Sequence, residues 1–158
     1  MSVNDAASDN NFDAVADQTV TASTTDDDVA GFTIVELDGS TEVDESGDTD
    51  TFTVVLDAQP TSDVVITITS SDTGEATVTS TLTFTPANWD TPQVATITGV
   101  DDDIIDGSQT STITVSIDDA NSDDDFDAIA DQTVSVSTTD DDVAGFTVTE
   151  TEGSTGVD

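Results

Sequence analysis

The stretch TTDDDVAGF stands twice in the chain, at Thr24–Phe32 and again at Thr138–Phe146, an offset of 114 residues. The correspondence extends on both sides. Val3–Asp44 aligns with Ile117–Asp158, and 29 of the 42 pairs are identical. A period this long is that of whole domains in tandem, since solenoid repeats are built from units of a few tens of residues. The repeated stretch then reads as a junction: the acidic end of one domain, a very short linker, and the first strand of the next. On that reading residues 1–28 are the closing part of one repeat, 29–142 a complete repeat, and 143–158 the first strand of a third. The chain reads as a piece of a longer array.

Inside the complete repeat, short runs alternate apolar and polar residues between turn signals, the period-2 pattern of half-buried strands. The expected strands are Gly31–Leu37, Thr51–Leu56, Val64–Ser70, Thr77–Thr85, Gln93–Val100, Thr110–Ile117 and Gln132–Thr139, with one more in the leading piece near Gln18–Thr24. Phe52, Val54 and Leu56 alternate with Thr and Val, and Ile113, Val115 and Ile117 with Thr and Ser. Threonine keeps strand propensity on an outward face without exposing an apolar surface. Seven short strands in one repeat predict an all-β fold: a seven-stranded antiparallel β-sandwich of immunoglobulin-like build, in tandem repeats. Trp89, in a loop between Pro86 and Pro92, is expected to cap one end of the core rather than to stack on a sugar.

Composition excludes much chemistry. The chain has 36 acidic residues, a net charge of −36, and no Lys, Arg, His or Cys. No imidazole, ammonium or thiol can act as base or nucleophile. No guanidinium holds phosphate, and such a polyanion repels nucleic acid and anionic membrane surfaces. No segment approaches the ~20 apolar residues that cross a bilayer. With 34% apolar residues in ordered alternation, the chain reads as folded despite its charge.

Strand parity brings the acids together. If successive strands run up and down, the first, third and fifth loops and the exit of the last strand share one tip. Those places hold Asp44-Glu45, Asp72, Asp101-Asp102-Asp103 with Asp106, and Asp140-Asp141-Asp142. Two unit charges ~4 Å apart repel by about 1 kcal/mol even in water, so such a tip calls for counter-charge. Calcium accepts six to eight oxygens in a loose geometry that loops supply, whereas zinc and copper sites favour the His and Cys this chain lacks, and magnesium demands a tighter octahedron. The competing reading is that these aspartates only solubilise the surface or adapt it to high salt; triplets at strand ends go beyond that need. At the opposite end, Asp119, Asn121, Asp123 and Asp125 sit two apart as in a calcium loop, but the turn glycine is missing and a solvated loop is the simpler reading. That end is expected to face Asp26-Asp27-Asp28 of the preceding repeat, and a bridging ion at that junction is the alternative reading.

Several of these pieces together resemble the Calx-beta domain, known from the calcium-binding regulatory domains of sodium–calcium exchangers and from repeats of large bacterial surface proteins. They are Glu45-Ser46-Gly47, Asp72-Thr73-Gly74, VDDDIID at Val100–Asp106, and TDDDVAG at the exit. The resemblance implies a seven-strand sandwich with calcium ligands at Glu45, Asp72, Asp101, Asp102, Asp103, Asp106, Asp140, Asp141 and Asp142. Asp26, Asp27 and Asp28 would serve the same role for the preceding repeat, whose other loops are absent. Gln109 stands where the family often has a second glutamate.

The function expected from all this is a calcium-stabilised extracellular structural repeat, one link of a rigid rod or stalk in a bacterial adhesin or biofilm surface protein, with Ca2+ as its cofactor. A strand of seven residues spans ~23 Å at ~3.3 Å each, so each repeat adds about 40 Å of reach. Its partners would be neighbouring repeats of the same chain, with no nucleic acid and no membrane insertion. The alternatives are a subunit that assembles with identical chains into an extracellular fibre, and a β-sandwich module that binds carbohydrate or protein. An enzyme is not expected. Paired carboxylates suit glycoside chemistry, but no substrate-positioning set accompanies them.

Overall fold

The alternating runs pair as expected, and the pairing shows how each end of the repeat is built. The computed structural model describes residues 4, 6–7, 9–12 and 15–150. Nine strands form among the described residues: β1 (Phe32–Glu36), β2 (Thr41–Asp44), β3 (Thr49–Leu56), β4 (Val64–Ser70), β5 (Ala76–Val78), β6 (Thr81–Phe84), β7 (Gln93–Gly99), β8 (Gln109–Ile117) and β9 (Gln132–Thr139). One sheet has the order β1-β3-β7-β5 and the other β2-β9-β8-β4-β6. All pairs are antiparallel except β2 with β9. Only short 3₁₀ turns accompany them among the described residues, and no helix there is long and apolar enough to cross a membrane.

The count is nine rather than seven for two reasons. After the first expected strand the chain takes a 3₁₀ turn over Leu37–Gly39, where Gly39 takes φ +80°, and Thr41–Asp44, expected as part of the first loop, forms the additional strand β2 on β9. The fourth expected strand breaks between Thr79 and Ser80. The Thr79 N–H still donates to Thr96 on β7, while the Ser80 carbonyl already accepts from Ile68 on β4. Each edge of the sandwich is thereby shared between sheets, which leaves short edge strands and little unpaired ladder.

Between the sheets the inward faces make one apolar core. Phe52, Val54, Ala95 and Ile97 from the first sheet face Val64, Ile66, Phe84, Ile113, Val115 and Val136 from the second, all fully buried. Burying such a side chain contributes about 1.5–3 kcal/mol each. Trp89 packs half-buried against this core, and its carbonyl accepts from Leu56 N–H.

The expected strand near Gln18–Thr24 does not form; these residues are exposed and belong to none of the strands. Its sequence matches β9, which lies between β8 and β2, and no counterpart of β8 precedes it in this chain. A strand without ladder partners leaves its backbone to water. Phe146–Thr149, read in the sequence as part of the first strand of a further repeat, behaves likewise, and 151–158, including Gly153-Ser154-Thr155, lie outside the described residues.

The strand directions define two ends. At the base lie the start of β1, the loop 57–63, the Trp89 loop and the loop 118–131. At the apex lie the turn after β2, the loop 71–75, the loop 100–108 and the exit of β9, which is the convergence expected from parity.

Candidate metal centre at the apex

The apex is assembled by backbone first. β2 runs parallel to β9, and the ladder continues one step beyond it: Glu45 N–H donates to the Thr139 carbonyl. This fixes Glu45 beside the residues that follow Thr139. Gly47, at φ +89°, turns the chain back into β3. Across the sandwich, Gly99 at the end of β7 lies so close to Asp44 that a Cβ there would stand 1.9 Å from its carbonyl oxygen. Only glycine permits that approach, which presses the Glu45 turn between the sheets.

The result is a glutamate only 1% exposed, with one carboxylate oxygen, Oε2, lacking any hydrogen-bond partner. Ligand oxygens of Glu45, Asp140 and Asp142 all lie within 4.8 Å of one another. Asp140 is the anchored member. Its Oδ2 accepts from Gly107 N–H at 2.7 Å and its Oδ1 from Asp142 N–H at 2.8 Å. Those donors hold its carboxyl below the usual range. Asp142 presents a buried Oδ2 without a partner.

Glu75 completes the picture. It sits half-buried just before β5, with a buried Oε2 that also lacks a partner. Its carbonyl is held between the sheets by Val100 N–H and the Thr138 hydroxyl. Burial pushes the Glu45 carboxyl up, with Asp140, Asp102 and Glu75 adding to it and the Asp141 N–H opposing. Burial likewise raises Glu75, reinforced by Asp106, Asp72, Asp102 and Asp140. Burial raises Asp142 as well, reinforced by Asp103, Asp140, Asp141 and Asp102. The carboxylates therefore press upon one another, and no cationic side chain exists anywhere in the chain to relieve them.

The sequence-derived residues fall into three groups. Glu45, Asp140 and Asp142 are brought together. Asp102 is half-buried beside them, its Oδ1 accepting from Ile104 N–H, while Asp101, Asp103, Asp106, Asp72 and Asp141 are exposed around the rim. Asp72 caps its own turn through Gly74 N–H. Gln109 donates to the Asp106 carbonyl and offers no carboxylate. Asp26, Asp27 and Asp28 are exposed at the other end, where Asp26 and Asp28 line a pocket at the base. Sequence reasoning missed Glu75. The available signal was a second acid in the loop after β4, directly before a buried alanine.

The donors fit a hard cation. All are carboxylate oxygens, three of them buried with free lone pairs, which is the donor set calcium takes. The spaced acids at the base fit no ion in the same way. Asp123 is buried, but its Oδ2 already accepts from Thr61 N–H, Thr61 Oγ1 and Ser62 N–H, and its Oδ1 from Asp125 N–H. These donors hold its carboxyl far below the usual range.

No protein-family model and no curated protein matches the chain. Among solved structures it is similar to the E. coli chaperone DraB, with TM-score 0.50 and 9% identity over 74% of this chain and 59% of that one. The chain thus spans about three fifths of the chaperone's length. It is similar to the apo-form Calx CBD1 domain at TM-score 0.49 and 16% identity, over 70% of this chain and 98% of that one. It is also similar to the S-layer protein rSbsC(31-844) at 0.48 and 22%, over 84% and 15%. At 9% identity the likeness to the chaperone bears on the fold alone.

Proposed function

We propose that the repeat is a calcium-stabilised structural module, one link in a tandem array that forms a stiff extracellular stalk of a surface adhesin or biofilm protein. One observation supports this above the others. Two buried carboxylates at opposite ends of the sandwich are treated in opposite ways. Asp123 at the base receives four hydrogen bonds, whereas Glu45 at the apex keeps a buried oxygen with none and faces further carboxylates. A buried anion that only stabilised the fold would be satisfied as Asp123 is. Glu45, Asp140, Asp142 and Glu75 would hold the ion, with the rim aspartates and water completing its shell. Bound calcium supplies positive charge that the chain itself lacks. The role is non-catalytic, and the likeness of the aligned stretches, 29 identical residues in 42, favours interchangeable spacers over a single receptor-binding domain.

The test is calorimetric titration of this chain with calcium, alongside thermal unfolding in EGTA and in millimolar calcium. At free calcium 100 times Kd the folded state gains about 2.7 kcal/mol. Near 4 °C per kcal/mol for a domain of this size, that is a rise in Tm of roughly 11 °C. An equal rise with magnesium or sodium chloride would reduce the aspartates to a screened, solubilising surface.

A further inference from the structure

Among the described residues, the outer face of the sheet β1-β3-β7-β5 carries no acid, in a chain whose net charge is −36. The two acids of these strands turn the other way: Glu36 accepts from the Thr41 hydroxyl and Asp50 from the Glu42 N–H, both on β2. The face presents threonine and valine instead. Val35 and Val94 stand 53% and 54% exposed. They are not scattered, because the ladder pairs Val35 with Thr53 and Thr53 with Val94, so the three form one row across β1, β3 and β7. The threonines add apolar surface to it. The Thr53 hydroxyl donates to the Val35 carbonyl at 3.5 Å and the Thr77 hydroxyl to the Thr98 carbonyl at 3.4 Å, which leaves their methyl groups to the outside. A contiguous apolar row rimmed by polar surface marks a place of contact.

Charge and symmetry select the occupant. A cationic partner is drawn to the carboxylates of apex and base, away from this face. A second copy of the chain is repelled wherever acids meet acids, and here two copies approach without that cost. The outer face of the other sheet is bordered by Glu42, exposed on β2. The row is also self-matching. A two-fold axis laid in the interface along β3 sets Val35 of each copy opposite Val94 of the other, and Thr53 opposite Thr53. Because the strands run between base and apex, an axis along them keeps both copies pointing the same way, as two stalks standing on one surface do.

We propose that this face pairs stalks side by side, sheet on sheet and parallel, through the row Val35–Thr53–Val94. The inference rests on the tandem stalk proposed above and adds its lateral partner, a second copy of the same chain. Area sets the strength. Strands of 5, 8, 7 and 3 residues, at ~3.3 Å per residue and ~4.8 Å between strands, offer about 360 Å² of sheet per copy. Two such faces fall short of the roughly 1,200 Å² of a stable complex. One repeat therefore pairs weakly, and each further repeat in register adds another face to the same encounter.

The chain has no cysteine, so single introduced thiols report the contact. The test mixes the Val35→Cys and Val94→Cys variants one to one, at millimolar protein in molar NaCl, and reads disulfide-linked dimers on oxidation. The mixture is expected to link 35 to 94, while neither variant alone, nor Ser135→Cys on the outer face of the other sheet, links above background. Sedimentation equilibrium of the unsubstituted chain should show self-association that rises ~10-fold or more between ~0.1 and ~1 M NaCl, as the Debye length falls from ~10 to ~3 Å. Val35→Ser with Val94→Ser should remove it. A chain lengthened by a second copy of residues 29–142 after Asp142 should pair about 100-fold more tightly. Links of 35 to 35, or background linking at both chain lengths, would overturn the pairing. So would retardation on a neutral cellulose column, lost in the double serine variant, without self-association; the face would then belong to a neutral polysaccharide. Each arm is run in EGTA and in calcium. Linking without calcium binding leaves the pairing standing and removes the calcium reading, and calcium binding without linking does the reverse.

Discussion

Replacing Asp123 by asparagine tests whether the base is held by a buried anion. The carboxylate ties two loops of distant sequence: Oδ2 accepts from Thr61 N–H, Thr61 Oγ1 and Ser62 N–H at 2.7, 2.7 and 2.8 Å, and Oδ1 from Asp125 N–H at 3.1 Å. An amide keeps one acceptor. If its oxygen takes the Oδ2 position, three charge-assisted bonds become neutral ones, a loss of roughly 1 kcal/mol each, and the amide nitrogen is left facing the Asp125 N–H, two donors opposed. Thr61 and Ser62 are exposed enough for water to recover part of this. The net expectation for Asp123→Asn is a loss of about 2–3 kcal/mol, or roughly 8–12 °C in Tm.

The pH dependence identifies the cause. The folded carboxyl lies far below the ordinary aspartate value of 3.8, so its contribution is fully present above pH ~4 and fades as the pH falls toward the folded pKa. The gap between native chain and variant should therefore be constant from pH 7 to about 4.5 and narrow below that, in urea melts at each pH with EGTA present. A variant within about 0.5 kcal/mol of the native chain at pH 7 would refute the reasoning, as would a gap that persists unchanged to pH 2.

The apex should respond in the opposite sense. Glu45→Gln removes a charge that Asp140 and Asp142 oppose, so it should raise the Tm in EGTA while weakening calcium binding on the order of tenfold or more, read by calorimetry. Metal-free native chain should also gain stability from Glu45 as the pH falls from 7 toward the ordinary glutamate value of 4.5, because a folded pKa raised above the unfolded one means the folded state takes up the proton first. The gain should be smaller in the Glu45→Gln variant and should vanish in saturating calcium, measured as the slope of unfolding free energy against pH.

Much of this was legible in the residues. Alternation over Thr51–Leu56, Val64–Ser70 and Gln132–Thr139 placed β3, β4 and β9 within two residues, because a half-buried strand writes its period into the sequence. Parity then located the apex. The sheet change at Thr79-Ser80 was not legible, since a strand that switches partners keeps its period and alters only which sheet receives it, and the four residues of β2 lie at the lower limit of a readable period. The silent strand at Gln18–Thr24 shows the converse: a correct pattern forms nothing without its neighbours. Turns are more local. The Asp9–Phe12 segment of the leading piece makes the same bonds as Asp123–Phe126, Asn11 N–H to Asp9 Oδ1 and Phe12 N–H to the Asp9 carbonyl, with no domain around it. Within the acidic loops, the sequence distinguishes triplets from background but not buried acids from rim acids. Glu45 and Glu75 are selected by the backbone that pulls them between the sheets, through Gly99 and through the Glu75 carbonyl.

A chain with no cationic side chain has no internal way to neutralise a buried carboxylate; it must hydrogen-bond the group or leave it to something from outside. The base takes the first course with Asp123, and the apex the second with Glu45, Glu75 and Asp142. The second course makes the stability of that end conditional on its surroundings: protons or cations restore it, and their removal loosens the loops that carry it. Because only Asp141 and Asp142 separate Asp140 from Val143-Ala144, the loops that loosen are those from which, on the proposed array, the next repeat would depart. Folding of the apex and the stiffness of the array would then answer to the same ion, and a chelator should soften the stalk at its junctions before it melts any sandwich.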